Sequence, residues 1–244
     1  MELKKVEGIV ISETNYSESS KILNVLTKEY GLISVIAKGC RKIKSRIRSV
    51  STKLSYGVFH IYYKEKGLSN LVEVDIINSF KNIRSDLTKL SYASYLIELT
   101  NQVVKQHWDK IIFDIFTSSL IKIDEDFSPT IITNIVEVKY LEYLGVKPSI
   151  DSCSICGNTT DIVTISSKGG GYICKNCLTD ENIVSSKCIK LIRLFYYIDI
   201  SRITKIDIKK ETINEINSFL DSYYEDYTGL YLKSKKFLNN LNKL

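Results

Sequence analysis

The sequence predicts an α+β fold in which a small N-terminal β-barrel precedes a helical bundle that carries an inserted four-cysteine module. Three observations predict it. Short β-rich runs separated by turn residues fill positions 3–80. Apolar residues then recur at three- and four-residue steps, and two Cys-X-X-Cys pairs interrupt that helical pattern. The divisions that we expect are 1–80 for the barrel, 81–150 and 183–244 for the two parts of the bundle, and 151–182 for the insert.

The first eighty residues contain five β-rich runs, KVEGIVISE, SKILNVLT, LISVIAKG, LSYGVFHIYY and LSNLVEVDII. Many short strands with frequent turn residues favour a small barrel or sandwich over a helical unit. In the fourth run Tyr56, His60 and Tyr62 alternate with Phe59 and Ile61. Both faces of that strand are therefore apolar or aromatic, and the pattern leaves open which of them faces outward.

Positive charge is concentrated in the connection between the third and fourth runs. From Tyr30 to Lys64 there are eight basic residues and no Asp or Glu. Most of them lie in KGCRKIKSRIRSVSTK, which replaces a tight turn and predicts a long connecting loop. Such cations can hold a polyanion if one surface presents them, although a charge run is as often only a solvated loop. The seven cations of this block are Lys38, Arg41, Lys42, Lys44, Arg46, Arg48 and Lys53.

The pattern becomes helical after Asn82. Apolar residues at helical spacing mark three segments before the cysteines. Ser128 and Pro129 can begin the third of these, and Gly145 with Pro148 can end it. The predicted helices cover about 87–104, 111–123 and 129–144 before the cysteines, and about 186–200, 211–227 and 230–241 after them.

Four of the six cysteines form two pairs of identical spacing. Cys153 and Cys156 precede Cys174 and Cys177, with seventeen residues between the pairs. This spacing is typical of a four-cysteine zinc site. A site in which four thiolates fill every coordination position of the ion is a structural zinc site rather than a catalytic one. We expect one zinc ion that holds together an insert with few large apolar residues. Four incidental buried thiols, or a redox-active cysteine pair, are the alternatives.

Composition restricts the remaining possibilities. The chain has 244 residues and a net charge of +6, and residues 1–80 hold 13 Lys and Arg against 8 Asp and Glu, or +5. A polyanion would therefore meet the N-terminal part first. No uncharged apolar run approaches the length of a membrane span, so we expect a cytoplasmic protein. The two histidines, His60 and His107, have no partners at catalytic spacing, and Cys40 and Cys188 read as apolar positions.

The order of these parts, together with local motifs, resembles the RecO family of bacterial recombination-mediator proteins. The matching stretches are EGIVISETNYSESSKILNVLTKEYGLISVIAKGCRK, KGLSNLVEVDIINSF, VEVKYLEYLGVKPSIDSCSICG, GGGYICKNC and LYLKSKKFLNNL. Together they cover nearly the whole chain. Two departures are visible, since Ser20 stands where an acidic residue is usual and Cys40 where a small residue is usual. Neither position is an expected metal or DNA contact.

The resemblance implies that the barrel is an OB fold that binds single- and double-stranded DNA. It also implies annealing of complementary strands, association with RecR, recognition of single-stranded-DNA-binding protein, and help in loading RecA onto covered DNA. A bacterial, nucleoid-associated protein without enzymatic activity or a small-molecule substrate is expected. In this picture the seven cations hold phosphates, while Tyr56 and Tyr62 accept bases.

Two other functional classes stay open. One is a zinc-ribbon adaptor that works through protein contacts and whose nucleic-acid affinity is incidental. The other is a metal-dependent nuclease, which requires an open metal site with carboxylate or histidine ligands. The closed four-cysteine set disfavours the nuclease.

Overall fold

The computed structural model describes residues 2–235 and residue 238. Five strands form a closed barrel in the order β1-β2-β3-β5-β4. Neighbouring strands pair in antiparallel fashion except β3 and β5, whose parallel pairing closes the ring. The predicted OB-like barrel is confirmed. The strands are β1 (Glu2–Tyr16), β2 (Ser20–Thr27), β3 (Gly31–Ala37), β4 (Tyr56–Tyr63) and β5 (Ser69–Asn78).

The rest of the described chain is mainly helical, with a short hairpin inserted. The helices are α1 (Lys81–Ser85), α2 (Leu87–Gln106), α3 (Lys110–Asp124), α4 (Pro129–Tyr143), α5 (Ser186–Tyr197) and α6 (Lys210–Tyr227). The hairpin lies between α4 and α5 and consists of the antiparallel strands β6 (Ile162–Ser166) and β7 (Gly171–Cys174). None of these helices is long and apolar enough to cross a bilayer.

The helix boundaries follow local sequence signals. The carboxylates of Asp86 and Asp109 accept backbone N–H bonds at the first turns of α2 and α3. Pro129 begins α4 as predicted, but the Ser128 side chain makes no capping bond. The predicted last helix, 230–241, lies partly outside the described residues, although 233–235 are helical.

Two apolar cores meet at the wall of the barrel. The interior of the barrel is one cluster, to which Phe59 and Ile61 contribute. A second, larger cluster begins on the outside of the barrel with residues such as Ile9 and Leu26, and continues through all of the bundle helices. The barrel and the helices therefore pack directly against each other, as expected from the absence of a flexible linker.

One close contact fixes this interface. Trp108, the single tryptophan of the chain, lies on the turn between β2 and β3. A Cβ atom added at Gly31 would be 3.1 Å from the Trp108 ring, and Gly31 has a φ of +64°. Only glycine adopts this conformation without strain while the indole approaches so closely.

Candidate nucleic-acid interface and metal centre

The predicted loop between β3 and β4 is present and is folded into consecutive turns. Residues 38–55 form neither a strand nor a helix. Their backbone N–H groups donate to carbonyls three or four residues earlier, which is the pattern of tight turns. These bonds are Lys42 N to Gly39 O (3.1 Å), Ser45 N to Lys42 O (3.1 Å), Arg48 N to Ser45 O (3.3 Å) and Ser51 N to Ile47 O (3.1 Å).

The start of the loop is tied to the turn between β1 and β2. The Arg41 backbone N–H donates to the Ser19 carbonyl at 2.9 Å, and its guanidinium donates to the Ser17 carbonyl at 3.3 Å. The Ser20 hydroxyl accepts the Gly39 N–H at 3.2 Å. Cys40, only 1% exposed, is part of the barrel core. The loop is thus an ordered part of the barrel rather than a free chain.

Six of the seven predicted cations point into solvent. No carboxylate of the described residues forms an ion pair with any of these six. Exposed cations without acidic neighbours set up a positive local field that attracts anions. We call these six residues the basic surface: they are Lys38, Arg41, Lys42, Lys44, Arg46 and Arg48.

The seventh cation, Lys53, has a different environment. Its side chain is half-buried, and burial lowers the pKa of its ammonium group. Its backbone is also engaged, because the N–H donates to Glu13 Oε2 at 3.0 Å and the carbonyl accepts a bond from Arg84 at 2.6 Å. A phosphate contact by Lys53 stays a prediction, with less support than the basic surface has.

Tyr56, one of the two predicted base-stacking residues, is buried. It is 7% exposed, and its ring lies 6.1 Å from Phe80 and 6.4 Å from Phe113, centroid to centroid. The hydroxyl donates to Glu7 Oε1 at 2.5 Å, and burial raises the pKa of Tyr56 well above its usual value. This ring cannot stack on a base without leaving the core, so the prediction for Tyr56 is wrong.

Tyr62, the other predicted stacking residue, is 44% exposed. It pairs with Asn70 on β5, and Asn70 pairs with Ile36 near the end of β3. Two strand spacings amount to about 10 Å, so Tyr62 lies near the start of the loop that begins at Lys38. A role in base stacking stays a prediction for this residue. His60, its neighbour on the same strand face, is buried and lies 2.8 Å from an Asp75 oxygen, which fits a packed strand position.

Tyr16 is an exposed aromatic residue close to the start of the loop, and the sequence pattern did not mark it as a DNA contact. Tyr16 ends β1 and is 49% exposed. The following turn supplies the carbonyls of Ser17 and Ser19 that hold Arg41. An aromatic residue directly before a Ser-Glu-Ser-Ser turn was the available signal. The sequence could not show that the turn after Tyr16 contacts Arg41, because the two are brought together only by the folded barrel.

The four paired cysteines come together as predicted. The Sγ atoms of Cys153, Cys156, Cys174 and Cys177 all lie within 4.8 Å of one another, and Cys156 Sγ is 3.6 Å from Cys174 Sγ. In a tetrahedral zinc–thiolate site with bonds of ~2.3 Å, the sulfurs are roughly 3.8 Å apart. The donor set and its spacing therefore fit a metal ion of this kind.

Local turns place these thiols. Gly157 has a φ of +75° and its N–H donates to the Cys153 carbonyl at 2.9 Å, which folds the first pair into a tight turn. Cys174 ends β7 and Cys177 lies in the short 3-10 turn that follows. The backbone N–H of Cys174 also points at Cys153 Sγ, at 3.4 Å.

The acidities of the thiols differ across the cluster. Burial opposes ionisation of Cys153, but N–H groups of Cys156 and Cys174 stabilise its thiolate and hold its pKa at about 6. The contact with the Cys156 sulfur raises the pKa of Cys177 to about 12, because a neighbouring thiolate repels a second negative charge. Four thiolates at this spacing would repel one another, and a dication bound between them would supply the compensating charge.

The cysteine module is joined to the bundle by backbone contacts that need glycine. A Cβ atom at Gly171 would lie 2.3 Å from the Ser149 carbonyl oxygen. Ser149 donates to the Gly170 carbonyl and accepts from the Tyr172 N–H, at 3.0 and 2.8 Å. On the other side, the Asp151 carboxylate accepts a bond of 2.8 Å from Arg193 of α5. The module therefore sits on the bundle in a defined position.

Comparisons with known proteins cover nearly the whole chain. Residues 1–80 match the family model described as "Recombination protein O N terminal", and residues 84–236 match "Recombination protein O C terminal". The chain is 36% identical to the "DNA repair protein RecO" of Listeria innocua and 39% identical to that of Bacillus pumilus, in each case over 99% of this chain and 96% of the relative. Its identity to the protein of the same name from Halalkalibacterium halodurans is 36%, over 98% of this chain and 96% of the relative.

Proposed function

The chain belongs to the RecO family of DNA repair proteins, mediators without catalytic activity, and from this premise we propose that it binds single- and double-stranded DNA without reading sequence. We further propose that it anneals complementary strands. With RecR, it helps to load RecA onto single-stranded DNA that is covered by single-stranded-DNA-binding protein. The observation that carries the DNA-binding part is the basic surface, six exposed cations on an ordered loop of the barrel.

The proposed mechanism needs no reacting group. Lys and Arg side chains of the basic surface contact phosphates, and phosphate contacts carry no sequence information. Exposed rings, Tyr62 and Tyr16, accept bases, because every base has a face on which an aromatic ring can stack. Cations that neutralise two strands at once lower the repulsion between them, so complementary sequences can meet and pair.

Charge reversal in the loop tests the DNA-binding assignment. If about five cations contact phosphates, log affinity against log salt should have a slope of roughly −3 to −4 for a single strand. Arg41→Glu, Lys42→Glu, Arg46→Glu and Arg48→Glu together should flatten this slope and abolish binding. The measurement is fluorescence anisotropy of a labelled oligonucleotide between 50 and 200 mM salt, the range over which such slopes show clearly.

The matched control reverses four exposed lysines outside the loop. Lys190→Glu, Lys205→Glu, Lys209→Glu and Lys210→Glu change the net charge equally and lie on or beside α5 and α6. This variant should keep most of the salt slope. Circular dichroism should show both variants folded. Unchanged DNA binding by the loop variant would refute the assignment.

An annealing assay separates the functional classes. Two complementary oligonucleotides are mixed with the protein in the absence of nucleotide. A mediator pairs the strands, a nuclease cuts them, and a zinc-ribbon adaptor does neither. RecR and single-stranded-DNA-binding protein are proposed as partners on the family resemblance, and co-purification with each purified partner tests them.

We propose that the four-cysteine cluster holds one structural zinc ion. Its support is the closed set of four thiol donors at zinc-site spacing. Zinc would there bind four thiolates and leave no open position, so it would stabilise the module and take no part in chemistry. Cys153, Cys156, Cys174 and Cys177 are the residues that would hold it.

A further inference from the structure

One apolar side chain lies among the cations of the basic surface, and the residues that the structure describes leave it uncovered. Ile43 is 88% exposed, the largest exposed fraction among the large apolar side chains that the structure describes. Single apolar residues on a surface are normal. The position of Ile43 is unusual, because this residue lies directly between Lys42 and Lys44, in the middle of the most basic segment of the chain.

The loop holds Ile43 away from the barrel. Ser45 N donates to Lys42 O at 3.1 Å, and this turn places Ile43 at its outer corner. Four residues later, Ile47 packs against the barrel core. The same loop thus packs one isoleucine, partly buried, against the barrel and leaves the other exposed to solvent. The bonds of Arg41 to the turn between β1 and β2 keep the base of this tip in place.

We propose that Ile43 is a wedge that inserts between adjacent bases of a DNA strand bound on the basic surface. This inference rests on the proposed function and deepens it. Lys42 and Lys44 would hold phosphates on either side, and the side chain between them is then directed at the bases. Apolar wedges of this size are used by DNA-binding proteins to unstack base steps. A strand opened in this way presents its bases separately, which suits pairing with a second strand.

An anionic lipid surface is the other partner that cations around an apolar tip would fit. One isoleucine buries too little apolar area to anchor a protein to a membrane. The family to which the chain belongs acts in DNA repair. DNA is therefore the partner that the observations favour, and lipid binding is kept as an outcome of the test.

The test uses the full-length protein and oligonucleotides that carry 2-aminopurine, whose fluorescence rises when it is unstacked. Ile43→Ser should lower DNA affinity about tenfold, which corresponds to ~1.4 kcal/mol, and should leave the salt slope unchanged. The parent protein should raise 2-aminopurine fluorescence at saturation, and the variant should not. The matched control is Ile183→Ser, because Ile183 is 69% exposed and lies outside the basic surface. It should change neither affinity nor fluorescence.

A second variant separates charge from shape. Ile43→Lys adds a cation, so its salt slope should steepen by about 0.7 for a single strand, yet it should lose the fluorescence increase. If the parent and Ile43→Ser have the same DNA affinity and the same 2-aminopurine fluorescence, the wedge proposal is wrong. The proposal that the protein binds DNA is not affected by that result. A parent protein without DNA affinity would overturn the proposed function as well. Selective loss of binding to phosphatidylserine vesicles by Ile43→Ser, with DNA binding intact, would assign the residue to a lipid surface instead.

Discussion

Tyr56 and Tyr62 lie on the same outer face of β4, yet only Tyr62 meets solvent. Side chains alternate along a strand, so the two residues have equivalent positions in the sequence pattern. The difference comes from Phe80, directly before α1, and Phe113 of α3, which cover the start of β4 and leave its end open. Strand periodicity predicts which residues share a face. It cannot predict where a distant helix will cover that face.

The buried hydroxyl of Tyr56 gives a prediction for stability. Tyr56→Phe removes the donor to Glu7 and should lower the free energy of unfolding by about 1–2 kcal/mol. Urea denaturation measures the loss. DNA affinity and its salt slope should not change. Tyr62→Phe is the control and should leave stability unaltered, since that ring is exposed. A loss of DNA affinity in a stably folded Tyr56→Phe protein would contradict the burial argument.

Cys188 gives a prediction for pH. Burial raises the pKa of this thiol to about 12, above the ~8.5 of an unfolded cysteine. The unfolded state therefore ionises first as the pH rises, and the stabilisation is complete below ~8.5 and lost progressively up to about 12. Between these values the parent should lose about 1.4 kcal/mol more per pH unit than Cys188→Ala.

The measurement for Cys188 is urea denaturation of the parent and of Cys188→Ala at pH 8, 9 and 10. Other groups that titrate in this range are common to both proteins, so the difference in slope isolates Cys188. The absolute stability of the variant will also fall, because the thiol fills a core position. If the free energy of unfolding falls equally with pH in the two proteins, the Cys188 thiol is not desolvated in the folded state.

At the scale of elements, the metal cluster and the basic loop differ in how far the sequence predicts them. The cluster is specified by local spacing, since two Cys-X-X-Cys turns bring thiols together wherever the hairpin folds. The position of the loop and its cations were also predictable. The defined conformation of the loop was not predictable, because it depends on hydrogen bonds to Ser17, Ser19 and Ser20 in another turn of the barrel.

The cysteine module provides an element-scale prediction. Cys153→Ser with Cys174→Ser should lose the bound zinc, because two of four ligands are removed, and the binding free energy of a structural zinc is ~10–16 kcal/mol in small peptides. Mass spectrometry of the metal content measures the loss. Limited proteolysis should then cut within 151–182, while the barrel retains DNA affinity. Cys188→Ala, which leaves the cluster intact, should keep the metal. A parent protein that contains no zinc would contradict the assignment.

For the whole molecule, the sequence predicted the order of the parts but not the extent of their common core. The divisions 1–80, 81–150, 151–182 and 183–244 stay proposals for where the units begin and end. Ile9, Leu26 and Tyr56 lie on the barrel but belong to the apolar cluster of the helices. Such contacts join residues far apart in the chain, and no local pattern marks them. Barrel and bundle are therefore expected to unfold together.

Trp108 offers a direct measurement of this expectation. It is the single tryptophan, and it lies against Gly31 where the barrel meets the helices. Unfolding in urea followed by its fluorescence should coincide with unfolding followed by far-ultraviolet circular dichroism. Gly31→Ala should destabilise both transitions equally, because its Cβ would crowd the indole and its φ is positive. Two separate transitions in the parent would show independent units.

The shared core also has a consequence for how the protein is made. Chains are synthesised from the N-terminus, and the barrel strands leave the ribosome first. Ile9, Leu26 and Tyr56 on the outer wall of the barrel belong to the apolar cluster of the helices, and the Tyr56 ring lies against Phe113 of α3. Until those helices have been translated, the growing chain carries an uncovered apolar wall. The helices that cover this wall are therefore added to the chain only after the last barrel strand.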